Sequence, residues 1–155
     1  MKKRLLSMVL GLSLVATSAV AFAMSQQDAR NMANAYVPAD AQYSHIVEDH
    51  DSFDVIYRSA TNSYEVDVDK KLGKVTDLSI DKLDPTLSTA VNITADDAKA
   101  AVLAVYPNAK IVKVELDRDS YKTTYDVKFV MSGVHGDADV LASDGTILEI
   151  DLDYK

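Results

Sequence analysis

YEVDVDKKLGKVTDLSID, residues 64–81, aligns 72 positions downstream with GDADVLASDGTILEIDLD, residues 136–153, and the alignment keeps a turn glycine at Gly73 and Gly145. Inside each stretch apolar and acidic residues alternate. Tyr64, Val66 and Val68 point one way and Glu65, Asp67 and Asp69 the other; Leu148, Ile150 and Leu152 likewise oppose Glu149, Asp151 and Asp153. A period of two belongs to a β-strand with one buried and one wet face, which antiparallel sheets permit and parallel sheets rarely do. Asp144-Gly145 suits a tight hairpin turn, and Lys70 to Gly73 a longer one.

The duplication extends outward from these hairpins. FDV at 53–55 falls on YDV at 125–127 with the same offset. Nearer the N-terminal end of each copy the offset is 69, pairing Asp28-Ala29 with Asp97-Ala98 and Pro38 with Pro107, which implies about three residues gained between helix and sheet in the second copy. An internal period of this kind sets the architecture before any single element does. The first helix is predicted from about Gln26 to Val37, capped by Ser25 with Asp28 at the capping-box position, with Ala29, Met32, Ala33 and Tyr36 as its apolar stripe and Pro38 as its end. The second repeats these devices with Thr94, Asp97, the stripe Ala98, Ala101, Val102 and Val105, and Pro107. Strands are predicted at about 42–48, 52–58, 63–69 and 74–80, then 109–117, 121–131, 135–142 and 146–152. The expected fold class is therefore α+β: two tandem repeats, each an N-terminal α-helix packed on an antiparallel sheet of three to four strands. Joining the two sheets edge to edge is favoured because it buries two strand edges.

Residues 1–23 read as a secretory signal, with Lys2, Lys3 and Arg4 ahead of an apolar run from Leu5 to Ala16 and a small-x-small site at Ala21-Phe22-Ala23. The expected organisation is signal peptide 1–23, first repeat 24–81, linker 82–92 and second repeat 93–155, in a periplasmic or secreted bacterial protein. Loss of the signal removes three positive charges and takes the formal net charge from −8 to −11. Such a balance opposes nucleic acid and anionic membranes and favours cationic partners. The chain has no cysteine, so neither disulfides nor a thiol nucleophile are available to it.

The acidic strand faces carry the candidate site. Glu65, Asp67 and Asp69 in the first copy and Glu149, Asp151 and Asp153 in the second are the predicted partner-binding residues, with Asp54, Asp77, Asp126, Asp137 and Asp139 on the same wet side. Like charges facing each other across strands destabilise a sheet, which asks for lysines between them or a cationic partner above. The bland alternative is a solvated face that keeps a β-rich chain soluble. A divalent-cation or small-ligand site on this face is the rival functional reading, although the glycine and terminal glutamate of an EF-hand loop are not in place. His45 and His50, five apart, fall on opposite faces of a continuous strand, so no metal centre, cofactor or catalytic residue is assigned. No Gly-x-Ser-x-Gly, Ser-x-x-Lys or His-Glu-x-x-His occurs, so a hydrolase is not indicated. Tyr36, Tyr64, Tyr121 and Tyr125 are expected in the core.

Taken together, the helix ending at Val37-Pro38 or Tyr106-Pro107, the strand Tyr64-Glu65-Val66 and the hairpin through Gly73-Lys74-Val75 resemble the PepSY domain, in two tandem copies covering nearly all of residues 24–155. The second copy departs from the pattern at Gly136, which replaces the tyrosine of the first. The tandem arrangement is also similar to the β-lactamase-inhibitor architecture, from which it departs in lacking cysteine. The resemblance implies an exported, non-enzymatic module with peptidase inhibition as the family's suggested role, a protein partner such as a peptidase or a basic protein, and no catalytic residues.

Overall fold

The computed structural model describes residues 24–155, so the predicted signal peptide lies outside the described residues. The elements run α1 (Gln26–Ala33), β1 (Gln42–Glu48), β2 (Ser52–Arg58), β3 (Asn62–Asp69), β4 (Lys74–Lys82), α2 (Ala95–Val105), β5 (Lys110–Arg118), β6 (Thr123–Met131), β7 (Val134–Leu141) and β8 (Ile147–Tyr154). All eight strands form one antiparallel sheet in the order β1-β2-β3-β4-β8-β7-β6-β5. This corrects the expected fold class. Instead of two α+β units, each a helix on its own sheet, the chain is mostly β: helices of eight and eleven residues are small additions to one continuous sheet. The physical reason lies at β4 and β8. Each would be an open edge in a separate unit, and pairing Asp77–Asp81 with Glu149–Asp153 removes both.

Both helices begin as their sequences dictate. Ser25 and Thr94 each accept a hydrogen bond from the backbone N–H three residues on, at 3.2 Å, while Asp28 and Asp97 reach back to the capping residue's N–H, closing a capping box at each helix. α1 is shorter than predicted, ending at Ala33 with a turn over 34–36. α1 lies on β1 to β4 and α2 on β5 to β7, all on one side of the sheet. Alanine makes this close approach feasible: Ala29, Ala33 and Ala98 are fully buried against the strands. The core beneath them comprises the apolar alternates, among them Val55, Tyr57, Val66, Leu78, Val127, Phe129, Ile150 and Leu152.

The two halves share their irregularities. β-bulges fall at Ser44 in β1 and Val112 in β5, and at Thr76 in β4 and Leu148 in β8. The Gly73 N–H donates to Asp69 and the Gly145 N–H to Leu141, both at 2.9 Å, and both glycines take positive φ, a backbone region glycine enters without strain. The two hairpins thus close with the same bond, contrary to the expectation of a tighter second turn. The inserted residues also sit elsewhere than expected. β5 and β6 have nine residues each where β1 and β2 have seven, so the length is gained in the arms of the β5–β6 hairpin and not between helix and strand. The lengthened arm supplies Thr123 and Thr124, both buried; the Thr123 N–H and hydroxyl donate to the carbonyls of Ser88 and Thr89 and fasten the connecting segment.

Gly136 has a structural explanation. It stands directly opposite Phe129, whose ring lies across it so closely that a Cβ at this position would be 2.2 Å from the ring Cζ. Tyr106 stacks on that ring at 5.4 Å between centroids. The missing tyrosine of the second half is therefore replaced in space by Phe129 and Tyr106. Tyr64 and Tyr125 are buried as expected, whereas Tyr121 is 58% exposed. β6 begins at Thr123, and Tyr121 falls in the turn that the Asp119 N–H closes onto the Lys122 carbonyl.

Candidate binding face

With both helices on one side, the other side of the sheet is left to its polar alternates, and strand register arranges them in rows. One row runs Asp54, Asp67, Asp77, Asp153 across β2, β3, β4 and β8. A second runs Glu115, Asp126, Asp139, Glu149, Asp81 across β5, β6, β7, β8 and β4. Between them lies Lys113, Lys128, Asp137, Asp151, Ser79, Glu65. The face therefore brings together five of the six predicted site residues: Glu65, Asp67, Glu149, Asp151 and Asp153. Asp69 is used differently. Its carboxylate accepts the N–H groups of Lys71 and Leu72 at 2.8 and 2.7 Å and shapes the β3–β4 turn.

Sequence reasoning missed Asp81, Glu115 and Asp117. Glu115 and Asp117 line a cleft of about 480 Å³ with Leu116, Asp126, Asp137, Asp139, Glu149 and Asp151, walled on one side by the lengthened hairpin. The alternation of Val114 and Leu116 with Glu115 and Asp117 was the available signal.

Charge is managed differently in the two halves. Lys122 pairs with Asp139 at 2.8 Å, and Lys128 reaches both Asp137 and Asp126, the latter at 3.5 Å. In the first half the position matching Lys128 is Ile56, opposite Glu65, and the trio Asp54, Glu65 and Asp67 has no such lysine. Ligand atoms of these three lie within 4.8 Å of one another. Burial, reinforced by the Asp54 charge, pushes the Asp67 carboxyl up to about 7. One Asp67 oxygen is buried without a hydrogen-bond partner. Burial, with Asp151 and Asp153 opposite, raises Asp77 to about 6, and burial beside Asp137 raises Asp126 to about 6. Each shift has the same origin: a carboxylate among carboxylates on a partly desolvated sheet favours its neutral form.

His45 is exposed on β1 and His50 lies in the β1–β2 turn; neither joins the carboxylate trio. Among the described residues no helix is long and apolar enough to cross a membrane.

Residues 92–153 match the model of the PepSY family, described as the peptidase propeptide and YPEB domain. The match falls on the second half, although the first carries the fuller hairpin motif. No curated protein matches the chain. Among solved structures, the chain is similar to a candidate lipoprotein of Clostridium difficile 630, at 20% identity over 85% of this chain and 95% of that one, with a TM-score of 0.38. It is also similar to a DUF2874 family protein of Bacteroides uniformis ATCC 8492, at 12% identity over 82% and 88%, with a TM-score of 0.32. The helix α2, the four-stranded meander β5 to β8 and the match to the PepSY family model coincide over the same segment.

Proposed function

We propose that this is an exported, non-enzymatic binding protein that engages a cationic surface of a partner protein, a peptidase being the favoured class, through the acidic face of its sheet. The observation that carries this reading is the pair of carboxylate rows on the uncovered face. Asp54, Asp67, Asp77 and Asp153 in one row and Glu115, Asp126, Asp139, Glu149 and Asp81 in the other have few lysines among them. A basic partner would relieve that repulsion and gain steering from it. The leader-like residues 1–23 support export, and the family description supports a peptidase as partner. Titration of the mature chain with a fluorescein-labelled peptide of alternating Lys and Leu, read by anisotropy, tests the face. Glu65→Gln, Asp67→Asn and Asp151→Asn together should weaken binding at least about tenfold, as the loss of about 1.4 kcal/mol would. Unchanged affinity would sink the assignment.

A second reading, a divalent-cation site, is favoured by one observation: the lysine-free trio Asp54, Glu65 and Asp67. Calorimetric titration with calcium and with zinc tests it, alongside Ile56→Lys, which places an ammonium where the other half has Lys128. Heat in the parent chain that vanishes in the variant supports the cation; no heat in either removes it.

A further inference from the structure

On its helix side the sheet holds a cavity of about 200 Å³, over the seam where β4 meets β8 and beside the end of α2. Its walls are largely aliphatic, with Ile80 from β4, Leu148 and Ile150 from β8 and Val105 from α2. Asn62 and Tyr64 of β3 and Tyr106, which follows α2, add polar groups to the lining. Two of these groups are unpaired. Tyr106 is 6% exposed, and its hydroxyl is buried without a hydrogen-bond partner. Asn62 bonds to Ser59 through its backbone, and its side-chain amide has no hydrogen-bond partner among the described residues.

The internal repeat accounts for this open space. On the 72-residue offset of the sheet, the β3–β4 pair Asn62–Lys82 corresponds to the β7–β8 pair Val134–Tyr154. On the 69-residue offset of the helices, Val105 corresponds to Tyr36. Tyr36 and Tyr154 meet edge to face with ring centroids 5.2 Å apart, and Val134, the cross-strand partner of Tyr154, is buried. One half therefore fills this corner with two of its own phenol rings. The other has Val105 and Lys82 at the same two positions, and neither brings a ring.

We propose that the cavity is a binding site for a single-ring phenol, which takes the place that the Tyr154 ring holds in the other half. The size agrees, since a dry cavity of about 150 Å³ holds benzene and this one has room for a ring with a hydroxyl and a small substituent. The lining agrees as well: aliphatic walls take the ring, and a phenol hydroxyl, both donor and acceptor, is a partner for the Asn62 amide or the Tyr106 hydroxyl. The site lies on the helix side of the sheet and draws on none of the carboxylates of the acidic face.

Titration of residues 24–155 with p-cresol, followed through amide chemical shifts in ¹H–¹⁵N spectra, tests the site. The shifts should saturate with a Kd of about 1 mM or tighter and be largest at Asn62, Tyr64, Ile80 and Ile150, with the counterpart amides of Val134 and Gly136 nearly unmoved. Lys82→Tyr with Val105→Tyr copies the other half's ring pair into the cavity and should weaken p-cresol binding at least about tenfold. Val105 is 45% exposed and has room for a larger side chain, so Val105→Phe alone, with the same expected loss, serves should the double variant fold poorly. Shifts that do not saturate overturn the proposal, as do shifts equally large at Val134 and Gly136, or a folded variant that binds p-cresol as tightly as the parent chain.

Discussion

Ser79 on β4 donates its hydroxyl to Asp151 on β8, and these two residues are at once cross-strand partners and counterparts 72 positions apart. One pair thereby marks both the centre of the sheet and the axis that relates its halves. It is also where the central polar row turns from carboxylate to hydroxyl, between Asp151 and Glu65. A donor at position 79 is what allows the row to cross the seam without a third carboxylate pair.

Gly136 should tolerate no side chain while Phe129 keeps its place. A Cβ 2.2 Å from the ring Cζ requires the ring to move, and moving it disturbs its stacking with Tyr106. Gly136→Ala is expected to cost about 1–3 kcal/mol, the usual range for overpacking. Urea unfolding checks this. Adding Phe129→Ala should recover part of the loss, a non-additivity that contact between the two predicts.

Acid should stabilise this protein between pH 8 and about 5. Asp67, near 7, and Asp77 and Asp126, near 6, have folded pKa values above their ordinary carboxylate range. The folded state therefore binds more protons than the unfolded one in this window, and stability is lost as pH rises through the folded values. The melting temperature should climb on acidification, and Asp67→Asn should flatten the climb and raise the melting temperature at pH 8. Below about pH 4 the trend should reverse, as Asp28, Glu48, Asp51 and Asp97, all held low by hydrogen bonds, take up protons.

Thr94→Ala should remove the hydroxyl that accepts the Asp97 N–H and donates to the Asp97 carboxylate, while the backbone N–H of residue 94 can still donate to that carboxylate. A loss of about 1 kcal/mol is expected from the cap alone. Thr94→Ser should restore most of it, and thermal unfolding separates the two.

Local chemistry made much of this fold legible. The Ser25 and Thr94 boxes, the strand alternation at 64–69 and 148–153 and the turn glycines are decided by neighbours within a few residues. What escaped was decided by partners far away in sequence. That β4 meets β8 follows from the argument that two free edges bury each other, but its register, Asp77–Asp81 on Glu149–Asp153, is stated by no local pattern. Gly136 read as a lost tyrosine because the ring that covers it belongs to another strand. Tyr121 shares the alternation of β6, but the hairpin begins at Thr123 and leaves it in the turn. At the site, the acidic rows were foreseeable from alternation, whereas the contrast between Lys128 and Ile56 required the register.

The central claim is that the acidic face, and not net charge in general, recognises the partner. Two variants of equal charge decide it. One neutralises Glu65, Asp67, Glu149, Asp151 and Asp153 on the face; the other neutralises Asp40, Asp49, Asp84, Asp96 and Asp119, all exposed in turns, in the connecting segment or at the start of α2. Both are titrated against the same labelled Lys-Leu peptide at one fixed salt concentration. The face variant should bind at least about tenfold more weakly than the parent chain, a loss of about 1.4 kcal/mol, and the other within about twofold of it. Equal weakening of both would mean that the peptide responds to overall charge, and would contradict the assignment of the sheet face as the binding surface.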